Sequence, residues 1–566
     1  MSNRQFDVLV VGGGITGAWT ALDCALRGYT VALIEKNDFG GATSSRSSRL
    51  LHGGIRYLQK LELTKVRESA LERKYVTRAA PHLFNHVPFL IPTYRSLRKS
   101  RAFLHAGMLG YRALSAGSHT GLEDPATRLP RDYSMNVSRL RSKIPLNDDR
   151  ITGAWVLHEC QMESSERMTQ AVIARARQAG ALLFNYLKLE QFNLDDGRVS
   201  GATVRDGEDG SRISVTANIT VNAAGPWCDS LNRQLGVQSL NTGFARGAHI
   251  VTRQLIRDYA LVLPSGLQGE GPLGRGERHI FIMPWRGHSL IGTSYQETSA
   301  PGDTLQVTGR EIKQLMDIVN QTMPHVALDT DDVLHAFAGV YPLQSKTIRT
   351  DTYQGSGEYQ LVDHVSKEGV EGIVTALGAK YTTARRLAEL TTDLVGRKLN
   401  IARAGNVKRN PTRAIKLDGG EITDLKRFEL ERTEEYRQLW SPETSRHLIK
   451  RYGTRIDDLA SICRDDPAFA VPVSSSGMTI GAELQFAVDR EMAIHLSDAT
   501  MRRTDLCTLG DPGAASLNHC AQILGHTLGW SESQQQAEVD SVRAELTTNT
   551  CSAGAATCPG EEESSI

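Results

Sequence analysis

Cysteine is sparse, and its spacing carries no pattern. The eight thiols (Cys24, Cys160, Cys228, Cys463, Cys507, Cys520, Cys551 and Cys558) are scattered, with no Cys-x-x-Cys pair. That argues against a disulfide framework or a metal site of zinc type, and makes a reducing cytoplasm the expected compartment. A surplus of one charge is also missing: 65 Lys and Arg against 64 Asp and Glu leave +1. Nucleic acid, which calls for a basic surplus, is therefore not an expected partner. No apolar run approaches the ~20 residues that cross a bilayer. The opening MSNRQFDVLVVGGG runs straight into a strand and a Gly-rich turn, so no cleavable leader is expected. What is present suits a folded chain: 40% apolar and 23% charged residues over 566 positions. At roughly 100–200 residues per domain, about two to four domains are expected.

The first 35 residues are the most informative. Residues 6–11, FDVLVV, form a β-branched apolar run of the kind buried in a parallel sheet. Gly12, Gly14 and Gly17 follow in G-x-G-x-x-G spacing. Ala18, Ala21, Leu22, Ala25 and Leu26 recur at helical intervals, Gly28 offers a stop, and a second strand, TVALI, ends in Glu35. Each part has a mechanical reason. Gly12 permits the tight turn, Gly14 lets a pyrophosphate approach the backbone, and Gly17 allows close helix–strand packing. The helix N-terminus offers N–H groups and partial positive charge to phosphates. Glu35 stands where a carboxylate accepts hydrogen bonds from ribose hydroxyls. A lone glycine motif is weak, because any Gly-rich strand-to-helix turn would show it. Here strand, glycines, helix, second strand and terminal acid agree. The chain is read as α/β with a Rossmann-like dinucleotide-binding domain, and the acid at position 35 favours FAD or NAD over a 2′-phosphorylated cofactor.

Residues 42–58, ATSSRSSRLLHGGIRYL, are too rich in Ser, Arg and Gly for an ordinary helix and suit contact with a flat, polar ring system. With this loop included, residues 12–59 resemble the N-terminal signature of the FAD-dependent glycerol-3-phosphate dehydrogenases and the related α-glycerophosphate oxidases. The resemblance continues through KVRESALERK (65–74), APHLF (80–84), VNAAGPW (221–227), RGAHIV (246–251), PWRGHSLIGTS (284–294), AGVYPL (338–343) and GAKYTTARRLAE (378–389). It reaches AELQFAVDREMAIHLSDATMRRTD (482–505), so it covers most of the chain. It implies FAD as cofactor and oxidation of glycerol 3-phosphate to dihydroxyacetone phosphate, with electrons passing to a quinone or, in the oxidases, to oxygen. It implies that Ser44, Ser45, Ser48, His52 and Gly53 line the flavin, and that Gly225 and Trp227 mark a strand returning to it. Gly378, Lys380 and Thr383 would sit beside the reactive edge of the ring.

Oxidising an alcohol requires that its proton leave, that its C–H lie about 3–3.5 Å from the acceptor, and that the charged tail be held. His249 is the candidate base, since an imidazole titrating near pH ~6.5 takes a proton at neutrality. Arg56, Tyr57, Arg349 and Lys380 are the candidate anion holders, Arg as a fork and Lys as a point charge. The chain departs from the family at three places: Tyr341 stands where Arg is usual, Tyr295 where Asp is usual, and Ala379 where Gly is usual. Tyr341 cannot replace a permanent cation, although its hydroxyl still donates one hydrogen bond. A related polyol phosphate or another hydroxy compound is therefore an alternative substrate, and a silent flavin-binding sensor a further alternative.

The FAD-binding domain is expected to be discontinuous (1–80, 151–235 and 331–400), with a substrate cap of antiparallel strands from 81–150 and 236–330. A helical domain is expected over 411–545, with Ser441-Pro442-Glu443 starting one helix and Gly453 ending it. Leu484, Val488, Met492 and Leu496 read as a core stripe, and 546–566 as a disordered tail. Residues 93–114 combine Arg95, Arg98, Lys99, Arg101 and Arg112 with Phe103, Leu104, Met108, Leu109 and Tyr111. Such a stretch fits peripheral contact with the cytoplasmic membrane face, or equally a cap helix with a solvated basic side.

Overall fold

The computed structural model describes residues 4–58, 61–95, 100–122, 124–237, 240, 242–264, 279–298, 305–343, 358–399, 410–475 and 477–554. Two sheets and a helical domain result. The first sheet is built on Gln5–Val11, which runs parallel to Val31–Ile34 on one side and to Arg212–Asn222 on the other. Arg212–Asn222 in turn pairs in parallel with Ile373–Leu377. Alternation along the first strand serves two layers. Val8 and Val10 face the helices Ile15–Leu26, Ser165–Gln178 and Tyr381–Leu399, while Leu9 and Val11 face the hairpin carrying Leu187, Leu189 and Phe192.

The second sheet has ten strands among the described residues and is mostly antiparallel. It packs beside the open end of the first. Two of its strands come from stretches expected in the dinucleotide-binding domain. Ile151–Met162 pairs with Phe84–Tyr94, and Val333–Pro342 pairs with Phe244–Arg253. Both are apolar runs, and an apolar run shows that a strand is buried without showing which sheet buries it. Leu50–Leu51, just past the Ser-rich loop, also joins this sheet, against Gln161 and Cys160. The loop is thus stitched between the two sheets.

The C-terminal helices begin as expected at Ser441, whose hydroxyl accepts the Thr444 N–H at 3.1 Å. Pro442–Tyr452 ends at Gly453, whose φ is +55°. Leu484 and Leu496 share one core cluster, with Val488 packed against it; Met492, at φ +60°, instead ends its helix and turns toward the first-sheet core. The expected tail is corrected in its first part. The last helix, Glu532–Gly554, runs through position 546, because Val539, Val542 and Leu546 recur at helical spacing and are all buried. Residues 555–566 lie outside the described residues.

Charged side chains bind this domain to the first sheet. Asp38, 1% exposed, accepts from Arg503 through both oxygens at 2.6 Å, and also from Arg502. Both arginines lie on a π-helical turn, Asp498–Arg503. Arg167 reaches both oxygens of Glu491 at 2.7 Å. At the rim, His495 sits 2.8 Å from Glu538 and 3.2 Å from Glu208, and the Glu538 hydrogen bond holds its pKa up to about 9. A raised folded-state pKa stabilises fully below the unfolded value of ~6.5 and loses that contribution as pH rises through about 9. After discounting for solvent screening, about 1–2 kcal/mol is expected. Urea titrations should therefore separate wild type from His495→Gln by that amount at pH 6 and by almost nothing at pH 10.

Candidate functional site

A cavity of about 750 Å³ runs from the glycine turn to the junction of the two sheets. That volume lies in the range of cofactor sites. At its inner end the backbone is drawn close. Gly12 has φ +108°, and a Cβ there would meet the Ala223 carbonyl oxygen at 2.6 Å. A Cβ on Gly17 would lie 1.9 Å from the Gly12 oxygen, so this glycine permits the helix–strand contact and does not itself line the cavity. Gly14 precedes the helix Ile15–Leu26, whose first N–H, on Ile15, donates to Ser44 Oγ at 2.9 Å. Glu35 accepts from the Gly13 N–H at 2.7 Å and the Asn37 N–H at 3.0 Å. Burial nevertheless pushes its carboxyl up. Trp227 and Gly225 line the same end, and the Lys36 ammonium lies 4.1 Å from the Trp227 ring centre.

Ser44, Ser48 and His52 continue the wall, and Gly378 and Lys380 close it opposite. At the far end His249, 2% exposed, points Nε2 at Ser48 Oγ, 2.9 Å away, and stacks on Phe337 at 5.1 Å and 17°. When Ser48 donates, Nε2 holds the lone pair, the tautomer that can take a proton. Gly292 faces the imidazole, and a Cβ there would lie 2.2 Å from it. Tyr57 and Tyr341 line the cavity nearby.

Some expected residues stand apart. Ser45 Oγ donates to the Ala42 carbonyl at 3.0 Å and faces away from the main cavity. Gly53 is buried behind it, its N–H donating to the Glu159 carboxylate at 2.9 Å and its carbonyl accepting from Tyr111 at 3.2 Å. It supports the turn whose flanks, His52 and Gly54, line the wall. Thr383 is buried one position past the lining Thr382. Tyr295 hydrogen-bonds Glu297 at 2.5 Å and is not part of the wall. Arg349 lies outside the described residues, as does the side chain of Arg56.

Sequence reading missed Tyr381. Its hydroxyl donates to the Ser44 carbonyl at 2.6 Å and meets Thr169 Oγ1 at 2.8 Å, tying the Ser-rich loop to the helix Ser165–Gln178. It stands inside GAKYTT, beside Lys380, and only its place in that motif could have flagged it. The donor set fits FAD: a glycine cradle that side chains would fill, N–H groups at a helix start, an acid at the second strand, and hydroxyls along the cavity wall.

A family model described as FAD dependent oxidoreductase matches residues 7–394, and one for the C-terminal domain of alpha-glycerophosphate oxidase matches 410–535. The chain is 30% identical over 95% of its length to a glycerol-3-phosphate dehydrogenase of Synechocystis, covering 96% of that protein. It is 29% identical over 95% of its length to the mitochondrial glycerol-3-phosphate dehydrogenase of Saccharomyces cerevisiae, covering 88% of it. The structure of the Bacillus halodurans glycerol-3-phosphate dehydrogenase complexed with FAD superposes with a TM-score of 0.73 at 25% identity, over 97% of this chain and 96% of that one. A glycine cradle, a slot lined with hydroxyls and these likenesses agree: the chain belongs to the FAD-dependent oxidoreductases and, among them, to the glycerol-3-phosphate dehydrogenase family.

Proposed function

We propose that the protein oxidises the secondary alcohol of sn-glycerol 3-phosphate to dihydroxyacetone phosphate and passes the electrons to a quinone. The observation that carries this reading is His249, held by Ser48 and Phe337 in a cavity that Lys380 and Tyr57 also line. The cavity wall from Gly12 to Gly378 would hold FAD, which would supply the hydride acceptor. His249 Nε2 takes the hydroxyl proton as the C–H bond breaks, the substrate hydroxyl replacing Ser48 Oγ as its hydrogen-bond donor, and the ring stacked against Phe337 keeps its direction. Lys380 and Tyr57 receive the anionic tail, with Arg56 and Arg349 proposed beside them. Tyr341 supports a second reading, a related polyol phosphate, because its phenol offers one hydrogen bond where a guanidinium would offer a fork.

Lipid contact is proposed for the helix Arg101–Leu114. It exposes Phe103 and Leu109, and Leu61 and Leu63 are exposed as well. No helix among the described residues is long and apolar enough to cross a membrane. Arg98 and Lys99 lie outside the described residues, while Arg112 is paired with Asp132 at 2.5 Å.

Anaerobic addition of glycerol 3-phosphate is expected to bleach the flavin within seconds. Colour that persists with this substrate but fades with another polyol phosphate would move the assignment to the second reading. Admission of air then separates acceptors: slow return of colour fits a quinone, and immediate return fits oxygen.

A further inference from the structure

Two consecutive glycines, Gly53 and Gly54, lie between the strand Leu50–Leu51 and the short helix Ile55–Leu58. His52 before them and Gly54, Ile55 and Tyr57 after them line the cavity. With no side chain at either position the pair has little to fix its own shape, and Gly54 stands at φ +83°. The fixing groups come from three other elements. Glu159, on Ile151–Met162, accepts the Gly53 N–H at 2.9 Å. Tyr111, on Arg101–Leu114, donates to the Gly53 carbonyl at 3.2 Å. Arg73, on Leu63–Ala79, joins the two: Nη1 donates to Glu159 at 2.6 Å and Nη2 to the Tyr111 hydroxyl at 3.3 Å.

We propose that Tyr111 is a positioning residue: by gripping the Gly53 carbonyl it locks the glycine hinge, and so fixes where Tyr57 meets the anionic tail of the substrate. This rests on the proposed function, in which Tyr57 and Lys380 receive that tail. The ring of contacts is closed, since side chains take both polar groups of Gly53 and Arg73 joins those side chains to each other. Arg73, Tyr111 and Glu159 are all buried, so water is not at hand to replace a lost bond. The fit is close: a Cβ on Gly53 would lie 2.0 Å from the Tyr111 oxygen and 2.2 Å from Arg73 Nη1. The hinge also reaches the site directly. The Tyr57 N–H donates to the Gly54 carbonyl at 2.9 Å, and the centre of the Tyr57 ring lies 4.4 Å from Lys380 Nζ.

Tyr111 and Arg73 do not line the cavity, so the shape of the tail site is set from behind its wall. Without the hydroxyl the Gly53 carbonyl is buried and unpaired, and hinge conformers that turn it elsewhere outnumber the seated one about tenfold. Substrate then selects the seated conformer from a mixture. Its apparent dissociation constant rises by the reciprocal of that conformer's share, while the rate at saturation is kept.

The test uses the full-length, FAD-loaded enzyme and Tyr111→Phe, which keeps the ring and removes only the hydroxyl. KM for glycerol 3-phosphate, measured with a dye acceptor, is expected to rise about 5–20-fold, with the limiting rate per bound flavin within about twofold of wild type. The dissociation constant of inorganic phosphate, titrated against the oxidised flavin spectrum, should rise by the same factor. Gly53→Ala breaks the contact from the other side and is expected to raise both constants as well. A purely structural role gives another pattern: fewer flavin-loaded molecules and a lower rate per polypeptide, with KM unchanged. That pattern, or a lower limiting rate per flavin at constant KM, overturns the proposal. The phosphate titration needs no turnover, so failure of glycerol 3-phosphate to bleach the wild type would count against the proposed function alone.

Discussion

His249→Asn is expected to slow anaerobic bleaching by glycerol 3-phosphate about 10²–10⁴-fold, the span that a positioned general base supplies. The effect should fall on the chemical step. Asn keeps a polar group opposite Ser48 Oγ, now 2.9 Å from the imidazole, and leaves the cavity wall closed. FAD content and substrate affinity should therefore change little. The residual rate should climb with pH, as solvent hydroxide takes over the proton that the ring no longer accepts. Stopped-flow absorbance in the variant measures both quantities. A loss below about tenfold would remove His249 from the proton path and leave it as packing against Phe337.

Asp38→Asn should be the most destabilising substitution, at about 3–5 kcal/mol. The carboxylate is almost fully buried and faces two guanidinium groups from a segment 464 and 465 residues away. Burial opposes its charge, but Arg503 and Arg502 outweigh that and hold the carboxyl below the usual range. Its contribution is therefore complete above the unfolded pKa of ~3.9 and fades only in strong acid. In the Asn variant Arg502 keeps the Asp498 carboxylate at 2.6 Å, whereas Arg503 keeps only neutral acceptors, the Glu491 carbonyl at 2.9 and 3.2 Å and one amide oxygen. An uncompensated charge is then left inside. Flavin release and loss of helical signal in urea should both move to lower denaturant and occur together. Release of flavin with an unchanged helical midpoint would show that the pair holds the loop without holding the domain.

The glycine turn, its helix and Glu35 were legible because local sterics dictate them: each requirement falls within one strand–turn–helix unit. The capped helix at Ser441 was legible for the same reason. Sheet membership was not. Ile151–Met162 and Val333–Pro342 read as strands, but their partners lie in Phe84–Tyr94 and Phe244–Arg253, far away in the chain. The candidate site divides in the same way. Ser44, Ser48, His52 and Lys380 line the cavity, so motif and wall coincide there, whereas Gly53 and Thr383 belong to the same motifs and are absent from the wall. Tyr381 ties the loop down through a contact with the Ser44 carbonyl that no spacing encodes. The tail was misjudged at Leu546, the last in a run of buried positions with Val539 and Val542, because mostly polar and small residues follow it in the sequence.

The joint between Asp38 and the π-helical turn also bears on biosynthesis. At ~5–20 residues per second, the 464 residues between Asp38 and Arg502 correspond to roughly 25–90 s on the ribosome. Throughout that interval the nascent glycine turn can form while its anchor has not been made. Closure of that ion pair is thereby deferred until translation is nearly finished, and a chain cut short before the turn at 498–503 emerges without its clasp.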